Sequence, residues 1–149
     1  VKGMKKILLL YSLITLSVHP QNLNGIKQGI EGNIYIKQGN QMPAPGQKTK
    51  PGKPTICTVF IYQLTKREQT TETGTHYSNI QTKLIAQCQS NAGGYYSVAL
   101  PVGNYSVFIS DNGLLYANSY DGKGNINPVK IVADSLTRKD IVVSSNAVY

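Results

Sequence analysis

The chain has 149 residues, 40% hydrophobic and 15% charged, with 14 Gly, 7 Pro and 10 Tyr against 2 Phe and no Trp. This composition supports one folded domain and excludes long charged helices, a collagen-like repeat and an intrinsically disordered chain. The formal net charge is +8, but no basic stripe is interleaved with aromatic residues, so nucleic acid is not expected as a partner.

Lys2, Lys5 and Lys6 precede the apolar run 7–16 (ILLLYSLITL), after which the chain turns polar. A positive segment ahead of ten mostly apolar residues predicts a secretory signal peptide over residues 1–17. Cleavage is expected after Ser17 or a few residues later. The run is too short to span a bilayer as a helix, and no later stretch approaches the ~20 apolar residues that would, so no transmembrane segment is expected. The predicted location is secreted or periplasmic, with non-covalent association with the cell surface as a further option. Three of the fifteen Lys and Arg fall in this segment, leaving twelve against seven acids, a net charge of +5.

Residues 18–28 read as a flexible leader, and 29–149 as the folded domain. Ile30, Gly32, Ile34 and Ile36 share one parity while Glu31, Asn33, Tyr35 and Lys37 share the other. That alternation predicts a half-buried β-strand. Residues 38–55 hold four Pro and three Gly, which predicts a long exposed loop. Lys48, Lys50 and Lys53 lie within it, and no acid occurs between Lys37 and Lys66. The bland reading is a solvated basic loop; the functional one is contact with an anionic ligand or a membrane surface.

The run 56–64 (ICTVFIYQL) is a strand with apolar residues on both parities, which leaves its core-facing side open. Residues 65–79 predict a loop with a short strand near Tyr77, and a further strand starts about Ile80. In 94–110, Tyr96, Val98 and Leu100 form one stripe and Tyr105, Val107 and Ile109 another. Pro101 and Gly103 between them predict a bulged hairpin. Short strands over 114–118, 129–133 and 138–143 complete the series. No sustained helical period follows the leader, and seven or eight short strands predict an all-β antiparallel sandwich.

Gly29–Ile34, the GKPT segment at 52–55 and above all 91–107 (NAGGYYSVALPVGNYSV) resemble the carboxypeptidase regulatory-like domains, a family of prealbumin-like (transthyretin-like) sandwiches. The resemblance places Gly32 in the opening motif, Val59 near the second strand, Gly94 and Tyr96 at the start of the hairpin, and Pro101, Gly103 and Tyr105 at its turn. Asn91 stands where the family often has Asp. Family members are accessory domains beside peptidases, receptors or surface proteins and carry no catalytic residues. The related transthyretin-like hydrolase of 5-hydroxyisourate uses strand histidines and a Tyr-Arg-Gly-Ser terminus, which these residues do not reproduce.

His76 is the only histidine after the leader and has no Cys or Asp within three residues, so a polar loop histidine is the simpler reading. Cys57 and Cys88 are open to two readings, a disulfide permitted by export or two small buried hydrophobes. Asp121, Lys123, Asn125 and Asn127 alternate as in a cation loop, but Gly122 and Gly124 account for the segment as a turn and Lys123 opposes calcium. No metal or cofactor is expected. Tyr116, Asn118 and Tyr120 combine aromatic area with amide groups and form the candidate contact surface, with Lys48, Lys50 and Lys53 as a second one. The expected function is a non-enzymatic module that binds an extracytoplasmic protein or a cell-surface glycan. A purely structural accessory module and a hydrolase built around His76 are the alternatives.

Overall fold

The alternating apolar residues of β1 (Gly29–Asn40) make it the axis of one sheet in the computed structural model, which describes residues 25–148. The expected signal peptide and most of the leader lie outside the described residues. Twelve strands form among the described residues, with one 3-10 turn at Arg67–Gln69. After β1 come β2 (Lys53–Pro54), β3 (Thr58–Gln63), β4 (Thr71–Thr73), β5 (His76–Ser78), β6 (Leu84–Gln89) and β7 (Tyr95–Ala99). β8 (Gly103–Asp111), β9 (Leu114–Tyr116), β10 (Pro128–Ile131), β11 (Leu136–Arg138) and β12 (Ile141–Val148) complete the series. The excess over the seven or eight expected comes from pieces of two or three residues such as β2, β4 and β11, too short to show a period in sequence. No helix among the described residues is long and apolar enough to cross a membrane.

The strands form two packed sheets of five and seven. In the first, β11 and β12 run in succession along one side of β1, both parallel to it. β7 and β2 lie antiparallel along the other side. The expectation of an antiparallel sandwich is corrected at this one place: β11 and β12 run parallel to β1, while all other strand pairs among the described residues are antiparallel. In that second sheet β8 has β3 on one side and β9 and β10 on the other, with β6 at one edge and β5 and β4 at the opposite edge.

The 94–110 segment is not a hairpin. β7 pairs with β1 and β8 with β3, so Pro101 and its neighbours carry the chain from one sheet to the other. The two predicted stripes face each other across the interior, where Tyr96, Val98, Leu100, Tyr105, Val107 and Ile109 are all buried beside Ile30, Ile34, Val59 and Ile61. Gly103, at φ 159°, is close to extended and does not close a tight turn. The corner is held by Tyr105, whose hydroxyl donates to the Pro101 carbonyl at 2.9 Å, a bond of the kind that tyrosine corners make in other sandwiches. Tyr105→Phe is expected to lower stability by about 1 kcal/mol, read as a lower urea midpoint at unchanged slope. An unchanged midpoint would show that the corner needs no such tie.

A second apolar cluster lies on the outer face of the seven-stranded sheet: Tyr77, Phe108, Ala117 and Ile126, with Phe60, Tyr62, Ile80 and Leu115 half-buried around them. This explains the two apolar parities of β3. Val59 and Ile61 enter the inter-sheet core, while Phe60 and Tyr62 support the outer cluster. Segments 64–70 and 117–127 cover it, joined where the Ile126 amide donates to the Thr65 carbonyl at 2.8 Å and the Arg67 amide to that of Gly124 at 3.2 Å. Thr65, fully buried, is held by the Ser106 hydroxyl at 2.9 Å and the Thr82 hydroxyl at 2.6 Å. Among the described residues no buried side-chain polar atom lacks a partner.

Candidate functional site

Tyr116, Asn118 and Tyr120 do not share a surface. β9 pairs its Tyr116 with Ile109 of β8, which turns the ring into the inter-sheet core at 1% exposure. Its hydroxyl accepts from the Ser144 amide at 3.1 Å and lies 3.3 Å from the Val142 carbonyl, and the Asn118 amide donates to that same carbonyl at 3.3 Å. These two side chains thus cover part of the free edge of β12, which would otherwise present unpaired backbone groups to another chain. Tyr116 is withdrawn as a ligand contact, because its ring is inside and its hydroxyl is used.

Tyr120 belongs to the opposite face. The residue is 41% exposed, and its ring lies under the Arg67 guanidinium, whose carbon is 4.8 Å from the ring centroid. Arg67 grips Glu72 with two bonds of 2.7 and 2.8 Å, and the Tyr120 hydroxyl donates to Glu72 at 3.1 Å. The Tyr77 hydroxyl bonds that of Tyr120. Burial, then this bond, pushes the Tyr77 phenol far above its ordinary range, so Tyr77 stays protonated and donates onward through Tyr120 to the carboxylate. The Arg67 bond holds the Glu72 carboxyl below the usual range. Tyr120 is therefore a clamp between the two segments over the outer cluster, with one edge left to solvent.

His76 lies in a strand rather than a loop. Its Nε2 is 2.9 Å from Asp111 Oδ2, and the Ser145 hydroxyl donates to that same oxygen at 2.7 Å. Both His76 and Asp111 are largely buried, and the imidazole stands edge-on to the Tyr116 ring at 5.7 Å. No spacing in the sequence could reveal this group, since 35 residues separate His76 from Asp111 and 34 separate Asp111 from Ser145. The chemistry is that of a tie between sheets: Ser145 of β12 directs its proton to the carboxylate, whereas a serine nucleophile needs the histidine as its base.

Cys57 and Cys88 are free thiols, both half-buried against the inter-sheet core. The β3–β6 register sets Cys88 opposite Val59, while the Cys57 carbonyl accepts from the Ser90 amide. The two are thus diagonal rather than facing. Burial pushes Cys88 up to about 11 and also raises Cys57, which leaves both as protonated thiols and poor nucleophiles near neutral pH. Of the two open readings, the buried hydrophobe describes them. Among the described residues no group of three or more His, Cys, Asp or Glu could hold a metal ion.

The Asp121 segment is a turn closed on itself. Asp121 Oδ1 accepts from the Lys123 and Asn125 amides at 2.8 and 2.9 Å, and Oδ2 from the Asn125 side chain at 2.6 Å. The loop's own donors occupy the oxygens a cation would need. The Asn125 side chain foremost holds the Asp121 carboxyl below its ordinary 3.8. A depressed pKa contributes stability that is complete above the unfolded value and lost as pH falls through the folded one. The Asn125 side-chain amide resonances are therefore expected to hold steady above about pH 4 and to shift on acidification below it. A shift centred near pH 6 would show that another group governs the turn.

Lys48, Lys50 and Lys53 all stand exposed, as expected. β1 runs on to Asn40 and β2 takes Lys53 and Pro54, so the true loop is 41–52. Between the end of β1 and the returning 50–55 segment lies an open groove of about 710 Å³, lined on one side by Lys37 and on the other by Lys50 and Lys53. No family model, curated protein or solved structure matches the chain. The all-β, two-sheet packing is established, and of the expected contact residues Asn118, Tyr120, Lys48, Lys50 and Lys53 stand exposed, Lys50 and Lys53 in the lining of the groove.

Proposed function

We propose that the chain is a non-enzymatic binding module of the carboxypeptidase regulatory-like type, exported from the cytoplasm and contacting a cell-surface glycan or an extracytoplasmic protein. One observation carries this reading. The 41–55 segment presents three exposed lysines, Lys50 and Lys53 of them lining a groove, and no acid of the same segment offsets them. None of the ion pairs among the described residues includes a lysine. Ligand sites on β-sandwiches are commonly built on such loops because they change without disturbing the core. The proton of Ser145 lying on Asp111 rather than on His76 favours the binding module over the hydrolase.

The test is a screen of extracytoplasmic proteins and surface glycans with three variants, Lys48→Ala/Lys50→Ala/Lys53→Ala, Tyr120→Ala and His76→Ala, each first shown to be folded by its unfolding curve. Binding is expected to fall in the lysine variant and to persist in His76→Ala. Substrate turnover abolished by His76→Ala would overturn the reading in favour of an enzyme. N-terminal sequencing of protein from its native host tests export separately and is expected to start between about residues 18 and 24. Retention of residues 1–17 would overturn that part.

A further inference from the structure

We infer that the groove between β1 and the 50–55 segment is a site for an anionic polysaccharide, its carboxylates seated among the ammonium groups of Lys37, Lys50 and Lys53. The inference rests on the binding-module reading and assigns its ligand class. Charge comes first. The lining contains three lysines and no acid, and the chain has no Asp or Glu from residue 32 to residue 67. Low-dielectric walls around like charges focus their field on the space between them. An anion in the groove therefore meets attraction that no carboxylate of the same segment offsets.

The site is also partly preformed. Lys37 sits on β1, and Lys53 on β2, where it faces Ile36 in register. Gly52 makes that approach feasible: a Cβ there would lie 3.0 Å from the Ile36 carbonyl oxygen and 3.2 Å from Tyr35 Cβ, at a φ of 97°. Two of the three ammonium groups thus spring from paired strands, which lowers the entropy lost when a ligand is clamped between them.

The rest of the lining separates a charged glycan from other ligands. Gln38, Asn40 and Gln41 supply amides suited to sugar hydroxyls, and Ile36 and Pro54 are the main apolar side chains. No aromatic ring lines the groove. Neutral sugars are usually held on such a ring, which combines apolar area with a directed polar edge. A protein partner is usually anchored by aromatic residues or Arg in an apolar patch, from which Lys is depleted. Lysine instead offers a compact charge with three rotatable donors, matching carboxylates that recur along a polymer in varied orientations.

The test measures binding of the folded protein to polygalacturonate, dextran and poly-L-glutamate by calorimetry. Polygalacturonate is expected to bind and dextran not. Raising ionic strength from about 0.01 M to about 0.15 M shortens the screening length from about 30 to about 8 Å and should weaken binding severalfold. Lys50→Glu/Lys53→Glu is expected to weaken it by about tenfold or more, while Lys27→Glu/Lys130→Glu, an equal charge change outside the groove, should have a much smaller effect. Equal loss in both variants would show attraction to net charge and overturn the site. Poly-L-glutamate binding as tightly as polygalacturonate, with the same lysine dependence, would make the ligand an acidic peptide and overturn the glycan assignment. Dextran, or a protein from the screen above, binding undiminished in Lys50→Glu/Lys53→Glu would overturn this site while leaving the module reading intact. Turnover of a bound polymer would overturn the module reading itself.

Discussion

Gly32→Ala is expected to cost at least about 3 kcal/mol and to lower the melting temperature by about 10 °C or more. Gly32 lies on the buried face of β1, where the chain crosses from β11 to β12 directly against it. A Cβ at this position would stand 2.0 Å from the Lys139 carbonyl oxygen, 2.6 Å from its carbon and 3.1 Å from the Tyr96 ring. None of these atoms is free to retreat. The Lys139 amide donates to the Glu31 carbonyl at 2.8 Å, and the Lys139 carbonyl accepts from the Tyr96 hydroxyl at 2.6 Å. Relief of the clash must break one of these bonds or part β12 from β1. Gly122→Ala is the control, since nothing lies within 4 Å of its Cβ position and its φ is not positive. Thermal unfolding of both variants checks the claim, and near-equal melting temperatures would refute the tight crossing.

Phe108→Ala is expected to destabilise the protein by about 3–5 kcal/mol. The ring is fully buried on the outer face of β8, edge-on to Tyr62 and Tyr77 at 5.6 Å each. Its loss leaves a cavity at the centre of the apolar cluster that segments 64–70 and 117–127 cover. Hydrogen exchange should therefore quicken more at the Ile126 amide, bonded across those segments to Thr65, than at Ile34 on β1. A cost under about 1 kcal/mol with uniform exchange would mean that the outer cluster is a loose cover rather than a second core.

The corner at Pro101 shows what sequence periodicity reports and what it does not. Alternation marked Tyr96, Val98, Tyr105 and Val107 as inward-facing, and all four are buried. Alternation gives the side chain's face, while strand pairing is set by backbone bonds between segments far apart. A hairpin and a sheet-to-sheet corner share the same Pro-Val-Gly reversal and the same buried stripes, so the local pattern could not separate them. The parallel direction of β12 against β1 was hidden for the same reason.

The candidate sites divide similarly. The acid-free run with Lys37, Lys48, Lys50 and Lys53 was legible because net charge along a segment is a property of its composition. Its pairing into a groove was not, because that depends on Gly52 meeting the Ile36 carbonyl. Tyr116 and Tyr120, four residues apart, looked equivalent in sequence, yet pairing of β9 with β8 placed one in the inter-sheet core and left the other on the outer face under Arg67. His76, Asp111 and Ser145 met only when the two sheets packed. By itself the sequence determined an all-β chain, the inward residues of β1, β7 and β8 and its basic loop, since period and composition are local. The tertiary structure decided pairing, the second core and every site contact, because each depends on backbone and side-chain groups brought together from distant parts of the chain.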